Sequence, residues 1–304
     1  LNNPSYTLHM FSFGNASQGF IFGFIAYAMW GVFPLFFHLL RDVPSTEVLL
    51  HRVVWSFVFV SLIIILTSQK QRLFKALKTP GLIKGLTISS LLVSVNWLVY
   101  IWSVAQGRVL ESSLGYFLTP LVSVFLARVF LKEQLNLSRM LAIILASIGI
   151  LWLIVRLGYL PWISLSLAVS FGLYGLARKQ LNVDTLTGLA IETGIMLPFA
   201  LCYWGYLLWV DNSIFYVAGS DLTLLLMVSG IVTAMPLLLF ASAAKKLSLS
   251  AIGFMMYINP TLQFCIAVFI LKESFDNDQL IGFIFIWCAL FVFTLGSLKK
   301  PLST

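Results

Sequence analysis

Hydrophobic residues in this chain fall into runs of about 20, and polar residues collect in the short stretches between them. A helix needs about 20 apolar residues to cross the hydrocarbon of a bilayer. Ten runs come near that length: 18–40, 46–68, 82–105, 110–131, 138–156, 160–178, 186–209, 222–244, 249–271 and 279–298. Their length and continuity predict helices rather than barrel strands, since a helix satisfies its own backbone polar groups in lipid. The connections are too short to hold a soluble domain.

One run recurs. Phe117–Glu133 and Tyr257–Glu273 align without gaps and share Pro120 with Pro260, Ala127 with Ala267, and Leu131-Lys132-Glu133 with Leu271-Lys272-Glu273. The copies lie about half a chain apart, as a duplication would place them. Trp30-Gly31 sets against Phe171-Gly172, and His51 against Glu192. Ser113–Tyr116 resembles Ala251–Phe254, after which the second copy carries two extra residues before Tyr257. Five spans per half is an odd number, so the second half enters the membrane upside down. Such inverted repeats hold their substrate near the midplane. The chain thus divides into a tail (1–17), a first repeat (18–156), a second repeat (160–298) and a second tail (299–304).

Composition settles the solvent. The chain is 60% hydrophobic and 10% charged, with a mean hydropathy of +0.98. That much apolar surface belongs in lipid. A net charge of +8 would suggest nucleic acid for a soluble protein; here its placement reports orientation instead. With the N-terminus in the cytoplasm, inner segments carry twelve basic residues: Lys70, Arg72, Lys75, Lys78, Lys132, Arg139, Arg178, Lys179, Lys245, Lys246, Lys299 and Lys300. Outer segments carry four, Arg41, Arg108, Arg156 and Lys272. Both termini are therefore expected to be cytoplasmic. Cys202, Cys265 and Cys288 lie inside spans without metal-ligand spacing and read as packing residues. The first apolar run is too long for a signal-peptide core and reads as a retained helix.

Ionisable groups within spans are costly and usually face the bundle interior. His51 and Arg52, near the outer end of the second span, and Glu192, near the inner end of the seventh, are candidate gating or proton-linked groups. The alternative is that they sit solvated at the interfaces. Glu111 is expected to be solvated at a helix mouth. Neutral polar residues form stripes at helical spacing. Asn96 and Tyr100, with Trp97 beside them, mark the third span. Tyr116 and Thr119 mark the fourth, Asn259 and Gln263 the ninth, and Trp30 the first. Their convergence would make a polar, aromatic-walled central cavity for a small-molecule substrate; interhelical hydrogen bonding is the alternative. Pro120, Pro236 and Pro260 fall within spans as candidate hinges or as static packing features. Gly19 and Gly23 form a GxxxG packing signal. No nucleotide-binding loop, zincin motif or catalytic triad is present, so no catalytic residue, cofactor or metal is expected.

The stretches HRVVWSF (His51–Phe57), NWLVYIW (Asn96–Trp102), ESSLGYFLTP (Glu111–Pro120), FGLYGLARK (Phe171–Lys179), IETGIMLP (Ile191–Pro198) and GIVTAMPLLLFASAAKKLSLSAIGF (Gly230–Phe254) are similar to the RarD-type, chloramphenicol-sensitivity branch of the EamA family. That family belongs to the drug/metabolite transporter superfamily. The resemblance implies ten helices in two inverted repeats, a central cavity and alternating access in a bacterial inner membrane. It also implies export of amino acids, drugs or related metabolites. Where the family often has Gly-Glu after its fourth and ninth helices, this chain has Lys132-Glu133 and Lys272-Glu273. A passive channel or lipid translocator is the rival reading, and an integral-membrane enzyme a weaker one. Substrate identity, proton coupling and oligomeric state stay open at this point.

Overall fold

A computed structural model describes residues 15–132, 137–217, 219–244, 246–247 and 255–298, and all the regular structure among them is helical. The first half comprises α1 (Asn15–His38), α2 (Ser45–Leu66), the short α3 (Lys70–Leu77), α4 (Leu82–Ala105), α5 (Val109–Leu131) and α6 (Leu137–Leu157). The second comprises α7 (Trp162–Lys179), α8 (Thr185–Trp209), the single-turn α9 (Ile214–Val217), α10 (Gly219–Ala244), α11 (Ile258–Cys265, continued as a π-turn over Ile266–Ile270) and α12 (Asn277–Leu298). Eight of these helices are long and apolar enough to cross a membrane. The 18-residue α7 and the shorter α11 segment accompany them. Large apolar side chains remain exposed around the bundle, Val155 at 77% and Phe199 at 69% among them. Such a surface is stable only against lipid.

Contacts sort the helix ends into two faces. At one, Thr46 meets Tyr203, Trp102 meets Trp162, and the Glu273 carboxylate accepts from the Val109 and Leu110 amides at 2.7 Å each. At the other, Lys246 donates to Gln18, and Gly85 and Gly296 abut Leu181 and Ser138. Helix α7 therefore runs the length of α4. It begins at Trp162 beside Trp102 and reaches its far end near Leu181 beside Gly85.

The packing has an internal symmetry. α1 packs on α10 and α11, and α7 packs on α4 and α5. α2 packs on α10, and α8 packs on α4. The α2–α8, α5–α11 and α6–α12 contacts join equivalent helices of the two halves. Exchanging the halves turns this set of pairs into itself.

Backbone conformation repeats as well. Left-handed residues end α2 and α8 (Ser68, φ 55°; Asp211, φ 52°), precede α4 (Gly81, φ 75°) and open α10 (Gly219, φ 81°), and follow α5 and α11 (Lys132, φ 55°; Lys272, φ 56°). A left-handed turn lets orphan carbonyls at a helix end find donors. After α2 the Gln69 amide reaches Ile64 O, and after α8 the Asn212 amide reaches Leu207 O. A side chain in this conformation costs about 1–2 kcal/mol, part of which glycine gives back through chain entropy. Lys272→Gly is therefore expected to raise stability, by up to about 1 kcal/mol, read as a higher melting temperature in detergent.

Several expectations need correction. The ninth span is not one continuous helix over 249–271. Its first residues, with Ala251–Phe254 and Lys245, lie outside the described residues. The chain turns at Met256–Tyr257, where the second copy carries its two extra residues, and helix resumes at Ile258. Pro260 thus sits in a first helical turn, where its missing N–H leaves no bond unmade, and is not a mid-helix hinge. Pro120 and Pro236 do lie inside α5 and α10. Cys202 and Cys288 are exposed on the apolar surface rather than packed within it. Glu111 is not a solvated group: its side chain is 16% exposed and paired with Arg108 at 2.5 Å. The α3 helix has no apolar run to mark it, and its Lys70, Arg72 and Lys75 are indistinguishable in sequence from loop charge.

Candidate functional site

The residues singled out from the sequence come together in two central groups and two terminal ones. In the first central group, Asn96 on α4 is the node. Its Nδ2 donates to Leu167 O at 3.1 Å and to Ser170 Oγ at 3.0 Å on α7, and its Oδ1 accepts from the Tyr116 hydroxyl at 3.3 Å. Tyr116 lies against Tyr100, with ring centroids 5.8 Å apart. Arg52 joins this group: its guanidinium carbon stands 4.2 Å from the Trp97 ring centroid and 5.3 Å from that of Phe37. Its Nε donates to Thr233 Oγ1 at 2.6 Å. The alternative that Arg52 sits solvated at an interface is therefore corrected. At 3% exposure it belongs to the buried core. The Trp97 and Phe37 rings and Phe33, at 5.9 Å, offset part of the cost of burying its charge, at about 2 kcal/mol for a desolvated cation–π contact.

The second central group joins α1 to α11. Gln263 Nε2 donates to Trp30 O at 3.3 Å and to Asn259 Oδ1 at 2.7 Å. Tyr27 and Phe240 pack on Trp30 with centroids 5.4 and 5.9 Å away. Both central groups pack against one continuous apolar core. The Thr119 hydroxyl donates to Gly115 O in its own helix, which leaves its oxygen to act as an acceptor.

The terminal groups lie at opposite faces. His51 is fully buried, stacked on Phe215 at 4.6 Å and edge-on to Trp204 at 4.7 Å. Its Nε2 lies 4.0 Å from Glu47 Oε1. That oxygen also accepts from Ser213 Oγ and the Ile214 amide, both at 2.9 Å, and so caps α9. At the other face Glu192, 2% exposed, accepts from Ser89 Oγ at 2.5 Å. It also hydrogen-bonds Tyr174 and lies 3.7 Å from Arg178 NH1. Glu47, Arg178, Thr233 and Ser170 were not singled out from the sequence. An acid four residues before His51, on the same helix face, was a readable signal for Glu47. Arg178 counted only as loop charge, and Thr233 and Ser170 carry no signal in an apolar span.

Of the residues expected to line a central cavity, Asn96, Trp97, Tyr100, Thr119 and Gln263 are buried, and Trp30, Tyr116 and Asn259 are half-buried. A cavity of about 580 Å³ instead opens at the Tyr203 face, lined by residues that include Arg41, Thr46, Trp102, Gln106 and Trp162. A second, of about 340 Å³, lies among Phe117, Phe264 and Trp287. Neither is lined by any of the predicted substrate residues. No cluster of three or more His, Cys, Asp or Glu residues able to hold a metal occurs among the described residues. Asn96→Ala would strand the Tyr116 hydroxyl and remove both side-chain bonds from α4 to α7, although Leu167 O keeps a donor in Ser170 Oγ. A buried group left unsatisfied costs about 1–3 kcal/mol. Its expected first effect is accordingly a lower melting temperature, contrary to a purely ligand-facing role.

A sequence model described as the EamA-like transporter family matches residues 17–155 and again residues 160–295. The chain is 41% identical over 286 residues to a Bacillus subtilis protein named uncharacterized transporter YojE, covering 93% of this chain and 95% of that one. It is 41% identical over 289 residues to the protein RarD of Escherichia coli K12, covering 94% and 97%. A solved crystal structure superposes with a TM-score of 0.58 at 18% identity, covering 93% of this chain and 99% of the other. At that identity it speaks for the fold alone.

Proposed function

The chain belongs to the EamA-like transporter family, and on that premise we propose that it is a secondary transporter moving small molecules by alternating access. Ten spans form two inverted five-helix halves, with α1, α2, α4, α5 and α6 answering to α7, α8, α10, α11 and α12. The observation that carries this reading is the set of helix pairs that maps onto itself when the halves are exchanged. A bundle built this way can have its two halves trade roles, which turns an inward-open state into an outward-open one. The paired left-handed helix ends support the same correspondence.

The substrate passes the two central groups, with Asn96, Trp97, Tyr100 and Tyr116 on one side and Trp30, Asn259 and Gln263 on the other. The face carrying Lys70, Arg72, Lys75 and Lys78 is cytoplasmic, in a bacterial inner membrane, and the direction is export. Cysteines placed at Lys75 and Asp211 in a cysteine-free background test the orientation with an impermeant maleimide on intact cells. Labelling at position 211 without labelling at 75 is expected. The reverse pattern would overturn it. Saturable uptake with counterflow in sealed vesicles separates this carrier from a channel, which shows neither.

A further inference from the structure

Arg52 carries its charge into the core without an acid beside it. The ion pairs among the described residues use other cations. Of the buried acids, Glu47 on the same helix is held through Oε1 by Ser213 and the Ile214 amide and Glu192 by Ser89 and Arg178, and neither pairs with Arg52. Thr233 takes the Arg52 Nε, while NH1 is buried with no hydrogen-bond partner. Trp97 and Phe37 hold the guanidinium by its face. Its donor edge is therefore fixed. The Tyr100 hydroxyl is also buried without a partner, and it lies with Tyr116 within electrostatic reach of the charge. A rigid cationic fork with a hydroxyl donor nearby is the complement of a planar anion. A carboxylate can take two parallel N–H bonds from such a fork. The surrounding rings suit an apolar body attached to it.

We propose that Arg52 is the substrate anchor of this transporter and that the substrate class is small organic carboxylates with an apolar or aromatic body. This rests on the reading of the central groups as the transport site. Zwitterionic amino acids fall within the class, and neutral analogues do not. A small inorganic anion has the same charge chemistry and is a separate arm of the test.

The test uses the full chain in lipid nanodiscs. Tryptophan fluorescence and calorimetry follow titration with benzoate and phenylacetate, with benzamide and phenylacetamide, and with inorganic phosphate. The carboxylates are expected to bind about tenfold or more tightly than their amides, as loss of a charge-assisted bond implies. Arg52→Gln should remove that preference, so that each carboxylate binds no more tightly than its amide, with Arg52→Lys keeping part of it. Tyr100→Phe, which deletes one hydroxyl, should reduce carboxylate affinity several-fold, and it decides the matter if the Arg52 variants fail to fold. Equal affinities, no carboxylate binding at millimolar concentration, an intact preference in these variants, or phosphate binding that aromatic carboxylates do not displace would each overturn the proposal. If amides are transported and carboxylates are not, the anchor fails and the transport reading stands. If carboxylates bind but vesicles show no saturable uptake, the anchor stands and the transport reading fails.

Discussion

Gly230→Leu is expected to abolish the folded protein. Gly230 lies where α10 crosses α2. A Cβ added there would sit 2.3 Å from the Trp55 carbonyl carbon and 2.5 Å from the Ser56 amide nitrogen. Both are backbone atoms, so no side chain can rotate away to make room. The approach also lets Ser56 Oγ donate to Gly230 O at 3.1 Å. Small residues permit such contacts in membranes, where helix association depends on close packing. Alanine alone would push the helices apart at a cost of about 1–3 kcal/mol. Leucine adds three more carbons to the same space. Size-exclusion profiles and melting curves should show loss of the monodisperse species for Gly230→Leu. Gly205→Leu is the control, because nothing lies within 4 Å of a Cβ added at that position. It should behave like the parent.

The second large effect concerns the two buried groups at the ends of the bundle. Each joins the two halves. His51 of the first half is held by Trp204 and Phe215 of the second. Glu192 of the second is held by Ser89 of the first. A contact that closes one mouth must break when that mouth opens, so removing it favours the open form. His51→Ala is expected to open the Tyr203 face, and Glu192→Gln the Leu181 face. A differential contribution of about 1–2 kcal/mol shifts the ratio of states about 5- to 30-fold. Maleimide reactivity of cysteines at Gln106 and Leu181 reads the two mouths separately. If both variants expose the same mouth, or neither changes reactivity, the residues serve packing alone.

Much of this architecture was legible in the chain. Lipid leaves helices little choice of length, so α4 falls at Leu82–Ala105, where its apolar run lies. Gly19 and Gly23 do mark a close contact, with Lys246, Leu247 and Met255 at the end of α10 and beyond. The Lys132 and Lys272 pair marks two helix ends of one shape, and both residues take the left-handed conformation that glycine would adopt with less strain. What stayed hidden was tertiary. Periodicity placed Asn96 and Tyr116 on inward faces but could not show that they bond each other and bind α7 to the bundle. Sequence position put Arg52 next to His51, yet one helical step, about 100°, turns its side chain to a different neighbour set. His51 meets Phe215 on α9, a single turn too short to register in a hydropathy pattern. The π-turn over Ile266–Ile270 has no signature in its apolar composition.

The central claim is that the two mouths open alternately because the halves exchange roles. In a cysteine-free background, cysteines at Thr46 and Tyr203, whose native hydroxyls meet at 2.9 Å, can be joined by a short bis-thiosulfonate crosslinker that spans the length of the lost tyrosine ring and is released by reduction, holding that face shut. The measurement is the labelling rate of a third cysteine at Leu181, at the opposite mouth, before and after crosslinking and again after reduction. Alternating access predicts that the rate at 181 rises on crosslinking, returns on reduction, and that vesicle transport stops only while the crosslink is in place. An unchanged rate at 181, or transport that continues through a crosslinked mouth, would contradict it.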